Sequence, residues 1–124
     1  MATLYLAINA SLYLSLAIWM TVDPWKTAAA VGYKTLSAGG RSEFLAIYGG
    51  LQLGLALFYG VTAATSALHR FGIVFSLCLY APLVVYRTIT LIRFVPARRA
   101  TWIVSALELA LLLGAIAIAF QYRA

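Results

Sequence analysis

Acidic residues are almost missing from this chain: 3 Asp and Glu stand among 124 residues, and charges of both signs make up only 10%. An ordinary soluble domain carries about 25%. So little polar surface could not cover a core in water, because a small domain leaves much of its surface exposed. The composition therefore argues against a soluble single-core protein. Cysteine and histidine are as scarce, with Cys78 and His69 standing alone. That excludes an internal disulfide framework, a Cys/His zinc site and bis-histidine haem ligation within the chain. Cys78 has no CxxC partner and reads as a small buried apolar residue, and His69 beside Arg70 reads as an interfacial one. Gly49-Gly50 lies inside an apolar run and is not a phosphate-binding loop. With no Ser/His/Asp set and no metal-ligand cluster, the residues point away from an enzyme, a metal site and a cofactor.

What fills the chain is hydrocarbon, at 65% hydrophobic residues. A bilayer core about 30 Å thick needs roughly 20 apolar residues in a helix rising about 1.5 Å per residue. Four runs meet that length, at 3–22, 43–66, 71–92 and 100–120. They are continuously apolar, unlike the alternating strands of a membrane barrel. The fold expected is an all-α integral membrane protein, one antiparallel four-transmembrane-helix bundle spanning 1–124. The first run lacks a basic leader and exceeds the apolar length of a cleaved signal peptide, so it reads as a retained span. Asp23-Pro24 should end it, because proline restricts the residue before it.

The formal charge of +6 comes from basic residues spaced between the apolar runs, which marks topology and not nucleic-acid binding. Lys26, Lys34, Arg41, Arg93, Arg98 and Arg99 fall on the side of the first and third loops; Arg70 and Arg123 fall on the other. Basic loops face the cytoplasm. A multi-pass inner-membrane protein with both termini outside the cytoplasm is expected. The first loop interleaves Trp25, Tyr33 and Leu36 with Lys26 and Lys34, a pattern for a short interfacial helix before a break at Gly39-Gly40. It would serve as an anchor or, alternatively, as a lid.

In lipid the polar residues are the informative ones, since an ionisable side chain in a span costs about 2.5–3.5 kcal/mol unless paired or wetted. Arg87 and Glu108 lie on the third and fourth runs, each about 10–13 Å from the loop that joins them. Equal depth lets them meet in a charge-assisted, bidentate pair. Tyr80 and Ser76 share the stripe of Arg87, and Ser105 that of Glu108, as further partners. The pair either pins two helices together or lines a polar pocket for an anionic head group, a proton or a small solute. Gln52, near the midplane, should hydrogen-bond to another helix, with Asn9 and Tyr13 available in type. Glu43 lies near the basic loops, within reach of Lys34, Arg41 or Arg98.

Small residues mark packing faces where lipid supplies no hydrophobic drive between helices. On the second run Glu43, Ala46, Gly50 and Gly54 form one stripe and Gly49, Gln52, Ala56 and Gly60 another, which makes this helix the expected centre of the bundle. Ala106, Ala110 and Gly114 form a stripe nearly opposite Glu108, expected to face outward for self-association or simply to touch lipid. Pro82 should kink the third span and free the carbonyl of Cys78.

The segment Glu43-Phe-Leu-Ala-Ile-Tyr-Gly-Gly-Leu-Gln-Leu-Gly-Leu-Ala-Leu-Phe, followed by spans with Arg87 and Glu108-Leu, resembles the bacterial domain-of-unknown-function family numbered forty-three forty-five. Its members are small four-helix membrane proteins, with a looser architectural similarity to DoxX-like proteins. The resemblance implies a fold and a membrane location without an activity. It would carry over Glu43, Tyr48, Gly49, Gly50, Gly54, Arg87 and Glu108. Three functions stay open: a non-enzymatic protein binding a membrane lipid or small amphiphile at Arg87/Glu108, an oligomeric small-solute or proton-coupled transporter using Glu108, and an accessory subunit of a larger membrane complex. A homo-oligomer is compatible with all three.

Overall fold

A computed structural model describes residues 1–34, 37–94 and 99–122. Leu36 of the first-loop pattern, Arg98 as a neighbour of Glu43, and Arg123 lie outside the described residues. Four helical stretches are long and apolar enough to cross a membrane, and no strand occurs among the described residues. Helix α1 (Ala2–Val22) is the first. It stops where Asp23 leaves the helical region ahead of Pro24, and the Asp23 carboxylate then accepts the Lys26 backbone N–H at 3.3 Å, capping α2 (Pro24–Ala30). Proline at the first position of α2 removes a donor that would have had no partner. The chain leaves α2 through Gly32 at φ +103°, a conformation that a side chain would strain.

The second span starts earlier than expected. Ser37 accepts the Gly40 backbone N–H at 3.0 Å and caps α3 (Ala38–Phe44), so Gly39 and Gly40 lie inside the helix and do not break the chain before Glu43. A π-helical segment, Leu45–Leu51, follows, and α4 (Gln52–Ala64) completes a 27-residue span. Thr65, in extended conformation, ends it close to the expected boundary at 66. After a short 3₁₀ turn, Ser66–Leu68, α5 (His69–Arg93) runs as one helix through Pro82, so the proline does not end the span. Pro82 and Cys78 are both exposed on its outer surface, and the buried role expected for Cys78 is not met. Helix α6 (Arg99–Gln121) is the fourth span.

Helix α1 packs along the second span and α5 along α6, and α1 also touches α5 and α6. The central helix is thus the first and not the second. Its apolar core joins Tyr5 and Leu6 to Tyr59, Ile73, Ala115 and Ile118. A second cluster, Met20, Ala28 and Phe44 with Tyr48 against it, clamps α2 between the end of α1 and the start of the second span. The first-loop helix therefore buries Thr27 and Ala28 in the protein, while Trp25 stays exposed beneath the Arg41 guanidinium at 4.4 Å.

Two contacts explain why bulky residues are absent at particular positions. A Cβ at Gly72 would come within 2.7 Å of Leu6 and 3.1 Å of Thr62, where α1, α4 and α5 converge. A Cβ at Gly49 would meet the Thr21 hydroxyl at 2.9 Å. Gly49 belongs to the second small-residue stripe read from the sequence, whereas Gly72 was not singled out there.

Candidate functional site

The spacing of Arg87 and Glu108 about the third loop brings the two side chains together. Arg87 Nε donates to Glu108 Oε2 at 3.0 Å and Nη2 donates to Oε1 at 2.9 Å, a bidentate pair between α5 and α6. Such a fork matches the carboxylate plane and neutralises both charges locally. The pair is lopsided in exposure: 32% of the Arg87 side chain is accessible, against 11% for Glu108. Arg87 Nη1, on the edge away from the carboxylate, bonds to no described residue. Its two N–H donors are unused.

A cleft of about 340 Å³ lies between α5 and α6, with Arg87 in its lining. Arg87, Thr88, Trp102 and Ser105 give it polar or amphipathic groups, and Val84 and Leu109 give it apolar walls. Glu108 does not line it. Of the two partners in the ion pair, Arg87 is the one that lines the cleft. The Thr88 and Ser105 hydroxyls donate to the Val84 and Thr101 carbonyls one turn back, so their remaining lone pairs offer only acceptors.

The other partners foreseen for the pair are engaged elsewhere. Tyr80 shares the azimuth of Arg87 but sits seven residues, about 10 Å of helix rise, away, too far for its hydroxyl to reach. It donates to Asn9 Oδ1 and meets the Tyr13 hydroxyl at 2.8 Å. Asn9 in turn donates to the Tyr5 carbonyl at 2.9 Å, and the Tyr5 hydroxyl reaches the Leu111 carbonyl at 2.7 Å. Ser76, also expected near Arg87, bonds to the Tyr59 hydroxyl at 2.8 Å and to the Gly72 carbonyl at 2.9 Å. These groups tie all four spans through a buried network in which Asn9, Tyr59 and Ser76 have no accessible surface. Among the described residues, no buried side-chain nitrogen or oxygen lacks a partner. The signal was present in the sequence: Tyr5, Asn9 and Tyr13 recur every four residues on α1, as Gly72, Ser76 and Tyr80 do on α5, so two polar stripes face each other.

Gln52 does not join this network. It is half-buried and makes no side-chain hydrogen bond among the described residues; Tyr13 instead meets Tyr59, seven residues or about 10 Å of helix rise further along the same span. Glu43 is exposed and forms no ion pair among the described residues. Tyr48 stacks on Phe44 with ring centroids 4.6 Å apart.

The small-residue stripes are redistributed as well. In the second span the buried positions are Phe44, Gly49, Ala56, Tyr59 and Thr62. The first step, five residues, is the spacing of the π segment; the later steps follow the α period. Gly50 and Gly54 consequently face outward, with nothing within 4 Å of a Cβ built on either, and they are not an internal packing face. Ala106 and Ala110 are exposed, as expected for an outward stripe, but Gly114 turns inward, where a Cβ would meet the Tyr5 ring at 3.1 Å. His69 sits in the turn between the second and third spans, its Nε2 within 3.1 Å of the Ala63 carbonyl and 3.3 Å of the Thr3 hydroxyl.

No family model, curated protein or solved structure matches the chain.

Proposed function

We propose that this is a non-enzymatic, multi-pass inner-membrane protein, an antiparallel four-helix bundle that holds a membrane lipid or small amphiphile at the Arg87/Glu108 pair. The observation that carries the reading is that Arg87, whose Nη1 bonds to no described residue, lines a cleft of about 340 Å³, a volume within the range of small-molecule sites. At membrane depth a cation's free N–H donors need an acceptor. Exposed Leu57, Phe71, Ile92 and Ile103 would be a liability in water and are ordinary against acyl chains. The basic first and third loops support a cytoplasmic position for that end of the bundle. The resemblance to the forty-three forty-five family agrees with this architecture and supplies no ligand.

The test is lipid retention. Purified from bilayers in mild detergent, the wild-type chain should carry a bound lipid into native mass spectrometry. Ala106→Phe, which puts a ring into the cleft while leaving both Arg87 and Glu108 unsubstituted, should release it. A chain that emerges bare in every preparation contradicts the reading. A second reading, docking to another membrane helix as an accessory subunit or homo-oligomer, is favoured by the outward, uncovered Gly50 and Gly54. Cysteine cross-linking at Gly54 in native membranes would trap a covalent partner if that face is docked, and a monomer if it meets only lipid.

A further inference from the structure

The lipid reading leaves the head group open, and the side chains lining the cleft between α5 and α6 narrow it. Among the described residues, Arg87 is the one ionisable group in that lining. Its charge is already met by the bidentate Glu108 carboxylate, so the pair is neutral as a whole. A charged head group entering here would leave its hydration and find no unmatched countercharge in the lining. The hydroxyls are as restrictive. Thr88 Oγ1 donates to the Val84 carbonyl at 2.8 Å, and Ser105 Oγ donates to the Thr101 carbonyl at 2.6 Å. Each hydroxyl has one hydrogen, and it is spent; the lone pairs that remain can only accept. Thr88 stands five residues before Arg93, where α5 ends, and Ser105 six residues after Arg99, where α6 begins, roughly 8 and 9 Å of helix rise from the third loop. Water is scarce at that depth, so these acceptors are best matched by an O–H that the ligand brings with it. A phosphate, a carboxylate or a simple ester brings lone pairs and no donor. The Trp102 indole, also in the lining and bonded to no described residue, supplies one N–H for a carbonyl oxygen.

We infer that the ligand of this cleft, on the lipid reading above, is an uncharged amphiphile with a free hydroxyl beside an ester, the chemistry of a mono- or diacylglycerol. Its hydroxyl donates to Ser105 or Thr88, its ester carbonyl accepts from the Trp102 indole, and its chain lies against Val84, Leu91 and Leu109. Arg87, held by Glu108, adds no net charge to the site.

The experiment uses the full chain in nanodiscs of phosphatidylcholine, whose head group has no hydrogen-bond donor. Equal mole fractions of monoolein, methyl oleate and oleate are added, and the retained ligand is weighed by native mass spectrometry. The three probes share one acyl chain, and at roughly pH 9, far above the carboxylate range, oleate is ionised. One net hydrogen bond is worth about five-fold in affinity, so monoolein should be enriched at least about five-fold over each of the other two. Thr88→Val combined with Ser105→Ala, which leaves the ion pair and the apolar walls unsubstituted, should bring monoolein down to the level of methyl oleate. Methyl oleate or oleate retained as well as monoolein, or phosphatidylcholine retained in place of all three, overturns this inference and leaves the lipid reading standing. A chain that retains neither a probe nor a bilayer lipid overturns both. A monoolein preference that survives the double variant overturns the assignment to the two hydroxyls.

Discussion

Two polar regions lie inside this mostly apolar molecule, and they are built to opposite plans. Where α1, α4 and α5 converge, Tyr13, Tyr80, Asn9, Tyr59 and Ser76 are neutral, buried or nearly so, and closed on one another. Between α5 and α6, Arg87 and Glu108 are charged, set beside a cleft, and leave one edge of the guanidinium unused. A closed neutral network fixes the relative positions of helices and has nothing left to offer a ligand. An open charged pair holds its helices and still has donors to give. The comparison teaches that polarity within a span is not by itself a site; what matters is whether its hydrogen-bonding capacity is exhausted.

The sharpest way to break this contrast is to remove one charge. Glu108→Leu leaves Arg87 uncompensated and should lower stability in detergent by about 2–3 kcal/mol, below the ~3–5 kcal/mol of fully buried pairs because Arg87 is partly exposed. Arg87→Leu with Glu108→Leu should recover part of that loss in thermal unfolding. A neutral single variant would remove the pair from the account of stability. Next comes packing at the closed region. Gly72→Val forces methyl groups against Leu6 and Thr62 and should cost about 1–3 kcal/mol, whereas Gly54→Ala, which meets open space, should be neutral or stabilising by up to about 1 kcal/mol. Equal effects of the two would refute the inward and outward assignments.

A subtler change separates glue from site. Tyr80→Phe removes the donor to Asn9 and the acceptor for Tyr13, and should cost about 1 kcal/mol, near the value of hydrogen bonds between membrane helices. Lipid retention at the cleft should be unchanged. If retention falls in step with stability, the two regions are not independent. Smallest of all, Gln52→Leu should shift stability by less than about 0.5 kcal/mol, since no side-chain hydrogen bond is lost.

Much of the architecture could be read from residues alone because a membrane span is specified by length and apolarity, and the runs beginning at Thr3, Phe71 and Ala100 each lie within two residues of a helix start. The Arg87/Glu108 contact was legible for a related reason: two residues at equal depth on helices joined by a short loop have little freedom to avoid each other. The azimuthal details were harder. The stripe through Gly50 and Gly54 presumes an unbroken α period, and the π segment at Leu45–Leu51 replaces one step of it with a five-residue step. Tyr80 illustrates a second limit. Sharing a stripe with Arg87 says nothing about reach, and seven residues of rise separate their hydrogen-bonding atoms. The cleft beside Trp102 was invisible because it is lined by two helices, α5 and α6, and no single helix encodes it.

The central claim is that the free edge of Arg87 meets lipid. It can be examined by solid-state NMR in bilayers of phosphatidylglycerol carrying ¹³C at the ester carbonyls, with the arginines labelled in ¹⁵N and Arg87 assigned through Arg87→Lys. The account predicts strong dipolar dephasing of Arg87 Nη1 by the lipid carbonyls and little at Nε and Nη2, which face Glu108. Undiminished Nη1 signal, or equal dephasing of all three nitrogens, would contradict it.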